Sequence, residues 1–217
     1  YPQYSASTNA STFDALARDF MQRRWLPDLR FISHYPDFAP YIQAMAEHIR
    51  AYREAHGSAD KLIFSYHGVP KRFLLKGDPY FCECHKTSRL LAEALGLADD
   101  QWMTTFQSRF GREEWLQPYT DATLKALPGQ GVKSVQVFCP GFSADCLETV
   151  EEIDEENRGY FEQAGGESFA YISAMNAEPV HLDALTQLIE NNLQGWQPGD
   201  NQPATLAARA ARAEALK

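Results

Sequence analysis

The chain of 217 residues has only four cysteines, no apolar run approaching the ~20 residues of a membrane-crossing helix, and no surplus of basic charge. Each shortage excludes something. So few cysteines in so long a chain exclude a disulfide-built scaffold and point to a reducing, cytoplasmic setting. Without a long apolar run there is no spanning helix, although peripheral contact with a membrane stays open. The net charge of -9, from 20 basic and 29 acidic side chains, argues against nucleic acid as a partner, because such binders present a basic face. There is no nucleophile elbow, no H-E-x-x-H and no Gly-rich phosphate fingerprint, so the common hydrolase and nucleotide-binding signatures are missing. The start, Tyr1-Pro2-Gln3-Tyr4-Ser5, has no initiating Met, no charged n-region and no apolar h-region. It reads as interior sequence of a longer chain and not as a leader. Cys82-Glu83-Cys84-His85 is at most half of a metal site, since a zinc or iron–sulfur site needs further ligands. It reads as a surface loop, and no tightly bound cofactor or iron–sulfur cluster is expected.

What is present is an alternation of apolar segments. Phe13, Leu16, Ala17 and Phe20 recur at helical spacing, which predicts a helix over 11–24. A short strand is expected at 29–32 and an amphipathic helix at 41–55, with a boundary at Gly57-Ser58. Beyond it, strands are expected at 62–64, 102–106, 132–138 and 169–172, separated by helices at 87–95, 120–127 and 145–163 and followed by one at 179–193. Such alternation implies an α/β fold with a mostly parallel, Rossmann-like sheet flanked by helices on both faces. After Gln197 the chain turns polar and then Ala/Arg-rich, and reads as a loose helix or disorder.

Three strand ends carry chemistry, and strand ends in an open α/β sheet face one crevice. Phe64-Ser65-Tyr66-His67-Gly68-Val69-Pro70 ends a strand on a histidine, with Gly68 and Pro70 forcing a turn. An imidazole there suits a divalent metal or a proton transfer near neutral pH. Pro140-Gly141-Phe142 opens a helix on which Glu148, Glu152 and Glu156 repeat every four residues, with Asp145 one turn earlier. Like charges at that spacing repel, and no basic partner lies between them, so the stripe reads as a path for cations or protons. Glu151 and Glu155 read as a solvated face. The third segment, from Phe106 to Pro118, holds Arg109 and Trp115; cationic and aromatic groups together suit a flat, anionic, amphiphilic ligand.

Taken in order, Tyr1 to Ser5, Ser65 to Pro70, Gly77-Asp78-Pro79-Tyr80, Phe106 to Gly111 with Trp115, and Gly141-Phe142 through Asp145 to Glu152 resemble the ferrochelatase family of the bacterial type, up to about Trp196. The resemblance implies a two-lobed fold of Rossmann-like halves with a porphyrin cleft, of which this chain supplies the second. By that resemblance residues 1–57 are the tail of the first lobe, 58–176 the second lobe, 177–196 a helix packing back on the first lobe, and 197–217 a polar tail. The family's first Rossmann-like strands would precede Tyr1. The implied reaction is insertion of Fe²⁺ into protoporphyrin IX with loss of two protons, the terminal step of haem biosynthesis. His67 and Glu148 match the catalytic, metal-facing pair. Glu152, Glu156 and Asp145 match the proton or metal path, and Tyr1, Tyr66, Arg109, Trp115 and Phe142 match porphyrin-contacting positions. One departure is visible: Cys146 stands where animal members carry histidine. A non-catalytic porphyrin or haem carrier, or a cobalt or nickel chelatase for another tetrapyrrole, are the alternatives.

Overall fold

The computed structural model describes residues 1–196, 199 and 202–216. A single π-helical turn, Ala6–Ala10, leads into α1 (Ser11–Gln22), and α2 (Ala39–His56) follows a stretch without regular structure. Then come β1 (Lys61–His67), α3 (Lys71–Leu75), α4 (Tyr80–Leu95), β2 (Trp102–Gln107), α5 (Thr120–Ala126) and β3 (Ser134–Phe138). The acidic segment holds α6 (Leu147–Thr149), a π-helix (Val150–Asn157) and α7 (Arg158–Gln163), before β4 (Ser168–Tyr171), α8 (Pro179–Asn192) and α9 (Pro203–Glu214).

The four strands form one all-parallel sheet in the order β2-β1-β3-β4. Since β1 is central, the chain winds first one way to β2 and then the other way to β3. The crevice above the carboxyl ends of β1 and β3 is therefore a topological switch point, the place where such sheets take ligands.

Alternation along β1 divides its side chains between two cores. Leu62, Phe64 and Tyr66 pack with Tyr41, Met45 and Ile49 of α2 and with Leu91 of α4. On the other face Ile63 packs with Val135, Val137, Leu124 of α5 and Phe161 of α7. Sequence explains the element ends: Pro40 occupies the first turn of α2, where its missing N–H costs nothing. Gly96 ends α4 in a left-handed conformation (φ 68°), and Leu97 N–H returns to Ala92 O.

Three expectations fail, each for a local reason. Residues 29–32 form no strand, because no neighbouring ladder receives them. Single bonds fix that region instead: Asn9 Nδ2 donates to Ser33 O and Tyr35 N–H to Pro2 O. The Cys82–His85 stretch is not a loop but the start of α4, whose Tyr80 N–H is taken by Asp78 Oδ1. On a helix Cys82 and Cys84 lie about 200° apart; accordingly Cys82 is exposed and Cys84 fully buried, and they do not share one site. The single helix expected over 145–163 starts at Leu147, and eight of its residues are π-helical. In the tail, residues 203–214 are helical with none buried; 197, 198, 200, 201 and 217 lie outside the described residues. No helix among the described residues is long and apolar enough to cross a membrane.

Candidate active site

A cleft of about 1000 Å³ opens above the switch point. The end of β1 brings His67 to it, the turn after β3 brings Phe142, and the loop after β2 brings Trp115. The start of the acidic helix adds Glu148, and the N-terminal segment adds Tyr1. Five of the ten expected site residues therefore meet in one place.

His67 is held from several sides. Its Nδ1 lies 2.7 Å from Gly68 O. A carbonyl only accepts, so in the neutral ring Nδ1 carries the hydrogen and Nε2 keeps the free lone pair. The Tyr80 hydroxyl donates to the His67 carbonyl (2.9 Å), and Gly68 N–H donates to Gln107 O (2.7 Å). A side chain on Gly68 would lie 2.9 Å from that same Gln107 oxygen and 3.2 Å from Trp115 Cε3. Glycine at 68 is thus required by close approach. Trp115 is itself buried, 4.9 Å from Phe110 and 6.5 Å from His67 between ring centroids.

Glu148 belongs to two surfaces. It lines the cleft and also a depression of about 400 Å³ shared with Ser108, Arg109, Glu151, Glu152 and Glu156. The adjacent Cys146 thiol, with Glu148's own backbone N–H, holds the Glu148 carboxyl below its ordinary range, and the nearby His67 adds to this. Burial and that carboxylate push the Cys146 thiol up. Glu152 takes the Ser108 N–H on one oxygen (2.6 Å) and the Ser108 hydroxyl on the other (2.5 Å). Those bonds offset the cost of a non-glycine residue in the left-handed region, where Ser108 sits at φ 63°.

Three expected site residues are elsewhere. Tyr66 is fully buried on the face opposite His67, with its hydroxyl 3.0 Å from Ser88 Oγ. If His67 faces the cleft, the preceding residue on a strand faces away. Arg109 does not line the aromatic cleft; its guanidinium bonds Asp121 Oδ2 (3.1 Å) and lies 4.1 Å over the Tyr119 ring, beside the acidic depression. The arginines that do reach the cleft are Arg72 and Arg112. Asp145 is a structural hub: Tyr171 Oη (2.7 Å), Asn176 Nδ2 (2.8 Å) and Ala174 N–H (3.0 Å) all donate to it. Burial pushes its carboxyl up, but these bonds prevail and hold it below the ordinary range. Glu151 is exposed, as its solvated reading expects, and it also lines the acidic depression.

Nothing local in the sequence marks the role of Gln107. Its carboxamide, 3% exposed, accepts from Ser65 Oγ (2.7 Å) and donates to Glu148 O (2.6 Å). A clasp closes the opposite wall. Asp78 takes Ser5 Oγ and Ala6 N–H, and Glu83 takes Tyr4 N–H (2.7 Å) and meets His34 Nδ1 (2.6 Å). Those two carboxylates hold the Tyr1 segment against α4. The signal for Asp78, an Asp-Pro pair before a helix, is legible in sequence; nothing local marks Glu83.

Over residues 1–193 the sequence matches the family model described as Ferrochelatase. Among curated proteins it is similar to one named Ferrochelatase from Alcanivorax borkumensis, 84% identical over 198 residues, which are 91% of this chain and 58% of that one. A protein of the same name from Marinobacter nauticus is 71% identical over 217 residues, all of this chain and 59% of the relative. One from Idiomarina loihiensis is 74% identical over 200 residues, 92% of this chain and 55% of the relative. The chain spans little more than half the length of these relatives.

Proposed function

The chain belongs to the ferrochelatase family, and from that premise we propose that it carries the metal-inserting part of a lyase that places Fe²⁺ in protoporphyrin IX. The observation that carries this reading is the position of Glu148. Among the described residues it is the one side chain lining both the aromatic cleft, with His67, and the acidic depression outside it. A porphyrin and a divalent cation could then meet at one carboxylate from different sides.

The chemistry requires two pyrrole N–H protons to leave as two positive charges enter. His67, with Nδ1 committed to a carbonyl, offers Nε2 as the base that accepts a pyrrole proton. Glu148, kept ionised at neutral pH, receives the incoming Fe²⁺ or the second proton, and Glu152 and Glu156 extend its negative surface toward solvent. Trp115 and Phe142 grip the macrocycle, and binding energy from these walls is available to bend it and expose the nitrogen lone pairs.

The test is anaerobic Fe²⁺ insertion into protoporphyrin IX, followed by the Soret and visible bands, in the full-length protein. Turnover that falls by roughly 100-fold or more in Glu148→Ala, with porphyrin binding retained, supports the assignment. Tight binding of porphyrin or haem without turnover in the unaltered protein would sink it in favour of a carrier. Turnover with Co²⁺ or Ni²⁺ alone, on another tetrapyrrole, would move it to a related chelatase.

A further inference from the structure

Gln107 is the register partner of His67: the two Cα atoms face one another across the β1–β2 ladder. Both ends of its amide and its own backbone are in use. The backbone carbonyl accepts Gly68 N–H at 2.7 Å, and Gly68 O in turn accepts from the His67 ring. The side-chain oxygen accepts Ser65 Oγ at 2.7 Å and Cys139 Sγ at 3.5 Å. Ser65 lies on the same face of β1 as His67, and Cys139 just past β3. The side-chain nitrogen leaves the sheet and donates to the carbonyl of Glu148 at 2.6 Å. One residue thus bonds the turn that fixes His67, the strands on either side of β1's carboxyl end, and the main chain of Glu148.

A neutral amide buried this deeply costs stability unless both ends are bonded, and a hydrophobic residue would serve the sheet better. The carbonyl end is satisfied within the sheet. The amide nitrogen finds its partner in the segment that carries the acid. Two other side chains anchor that segment, Asp145 through bonds from the 171–176 turn and Glu152 through bonds from Ser108. Neither set of bonds touches the main chain of Glu148. We infer that Gln107 is a positioning residue that sets the spacing between His67 and Glu148, an inference that rests on the function proposed above.

The experiment compares three variants of the full-length protein by kcat for metal insertion, porphyrin Kd and Tm. Gln107→Met keeps the length and removes both polar atoms. Gln107→Glu keeps the acceptor for Ser65, but its carboxylate has no hydrogen to give Glu148 O. Thr105→Val removes a fully buried hydroxyl that bonds Thr120, itself bonded to Ser65, and touches neither Gln107 nor the cleft. Sub-ångström misplacement of a reacting group costs rate and not affinity. Gln107→Met, or Gln107→Glu if the first does not fold, is therefore expected to lower kcat by roughly 10- to 100-fold. Porphyrin Kd should stay within twofold. Thr105→Val should lose Tm and keep kcat. A fall in kcat of less than fivefold in the Gln107 variant overturns the inference. So does a parallel fall in Thr105→Val, because the effect then follows stability of the buried network. An unaltered protein that inserts no metal overturns the ferrochelatase reading, and this inference with it.

Discussion

The two faces of β1 divide the labour of the molecule. One face presents Leu62, Phe64 and Tyr66 to α2 and α4, and its only polar atom, the Tyr66 hydroxyl, is closed off by Ser88. The other presents Ile63, Ser65 and His67, a run that passes from apolar to hydroxyl to imidazole as it approaches the crevice. Stability is concentrated on the first face and chemistry at the end of the second. A strand can do both because its side chains alternate. The comparison also teaches where a polar network is affordable: under the cleft, where Ser65, Gln107, Thr105 and Thr120 satisfy one another.

The sharpest way to break this contrast is to alter adjacent residues on opposite faces. His67→Ala should cost roughly 100-fold or more in insertion rate with little change in Tm, whereas Tyr66→Ala should cost about 3–5 kcal/mol of stability through the cavity it leaves. Denaturant unfolding and steady-state kinetics on both variants separate the two, and a His67→Ala protein with near-normal turnover would erase the distinction. Next in size is Gly68→Ala. Its new carbon must displace backbone at Gln107 or the Trp115 ring, which is expected to cost about 1–3 kcal/mol, visible as a lowered urea midpoint. Asp145 sharpens the comparison from the far end of the site, because it is acidic yet structural. Its folded carboxyl lies below the ordinary 3.8, so its contribution is present above that pH and is lost as the pH falls through the folded value. Asp145→Asn should therefore lower Tm at pH 7, and the gap from the unaltered protein should shrink below about pH 3.8. The smallest effect is expected at the cleft's outer lip. Lys71 and Glu114 pair at 2.9 Å with both side chains about half exposed, and Lys71→Ala should change stability by less than about 1 kcal/mol in thermal melts at moderate salt.

Much of this division is legible in the sequence. An apolar run ending in His-Gly-x-Pro marks a strand end, and carboxylates every four residues mark a common helical face. Both features depend on near neighbours in sequence. What escaped depends on partners far along the chain. Tyr66, expected at the ligand, is turned into the core by the period-two alternation that starts from His67. Arg109, expected as a ligand cation, instead pairs with Asp121, a partner that only the folded loop brings to it. Gln107 looks like an ordinary polar residue at a strand end; its role comes from Glu148, 41 residues later. The strand expected at 29–32 had the right side chains and lacked a neighbour, which no local pattern reveals.

The π-helical stretch Val150–Asn157 has a consequence for how this site tolerates genetic change. A π turn holds an extra residue compared with an α turn, so the segment behaves like an α-helix carrying an insertion. Deleting one residue from it would preserve every acidic side chain outside the deletion. It would also return the wide turn to α geometry and so change the spacing by which Glu148 and Glu156 now share one depression. The segment should therefore accept many substitutions of its solvent-facing residues, while a single in-frame codon loss resets the spacing of the acids between the cleft and the solvent.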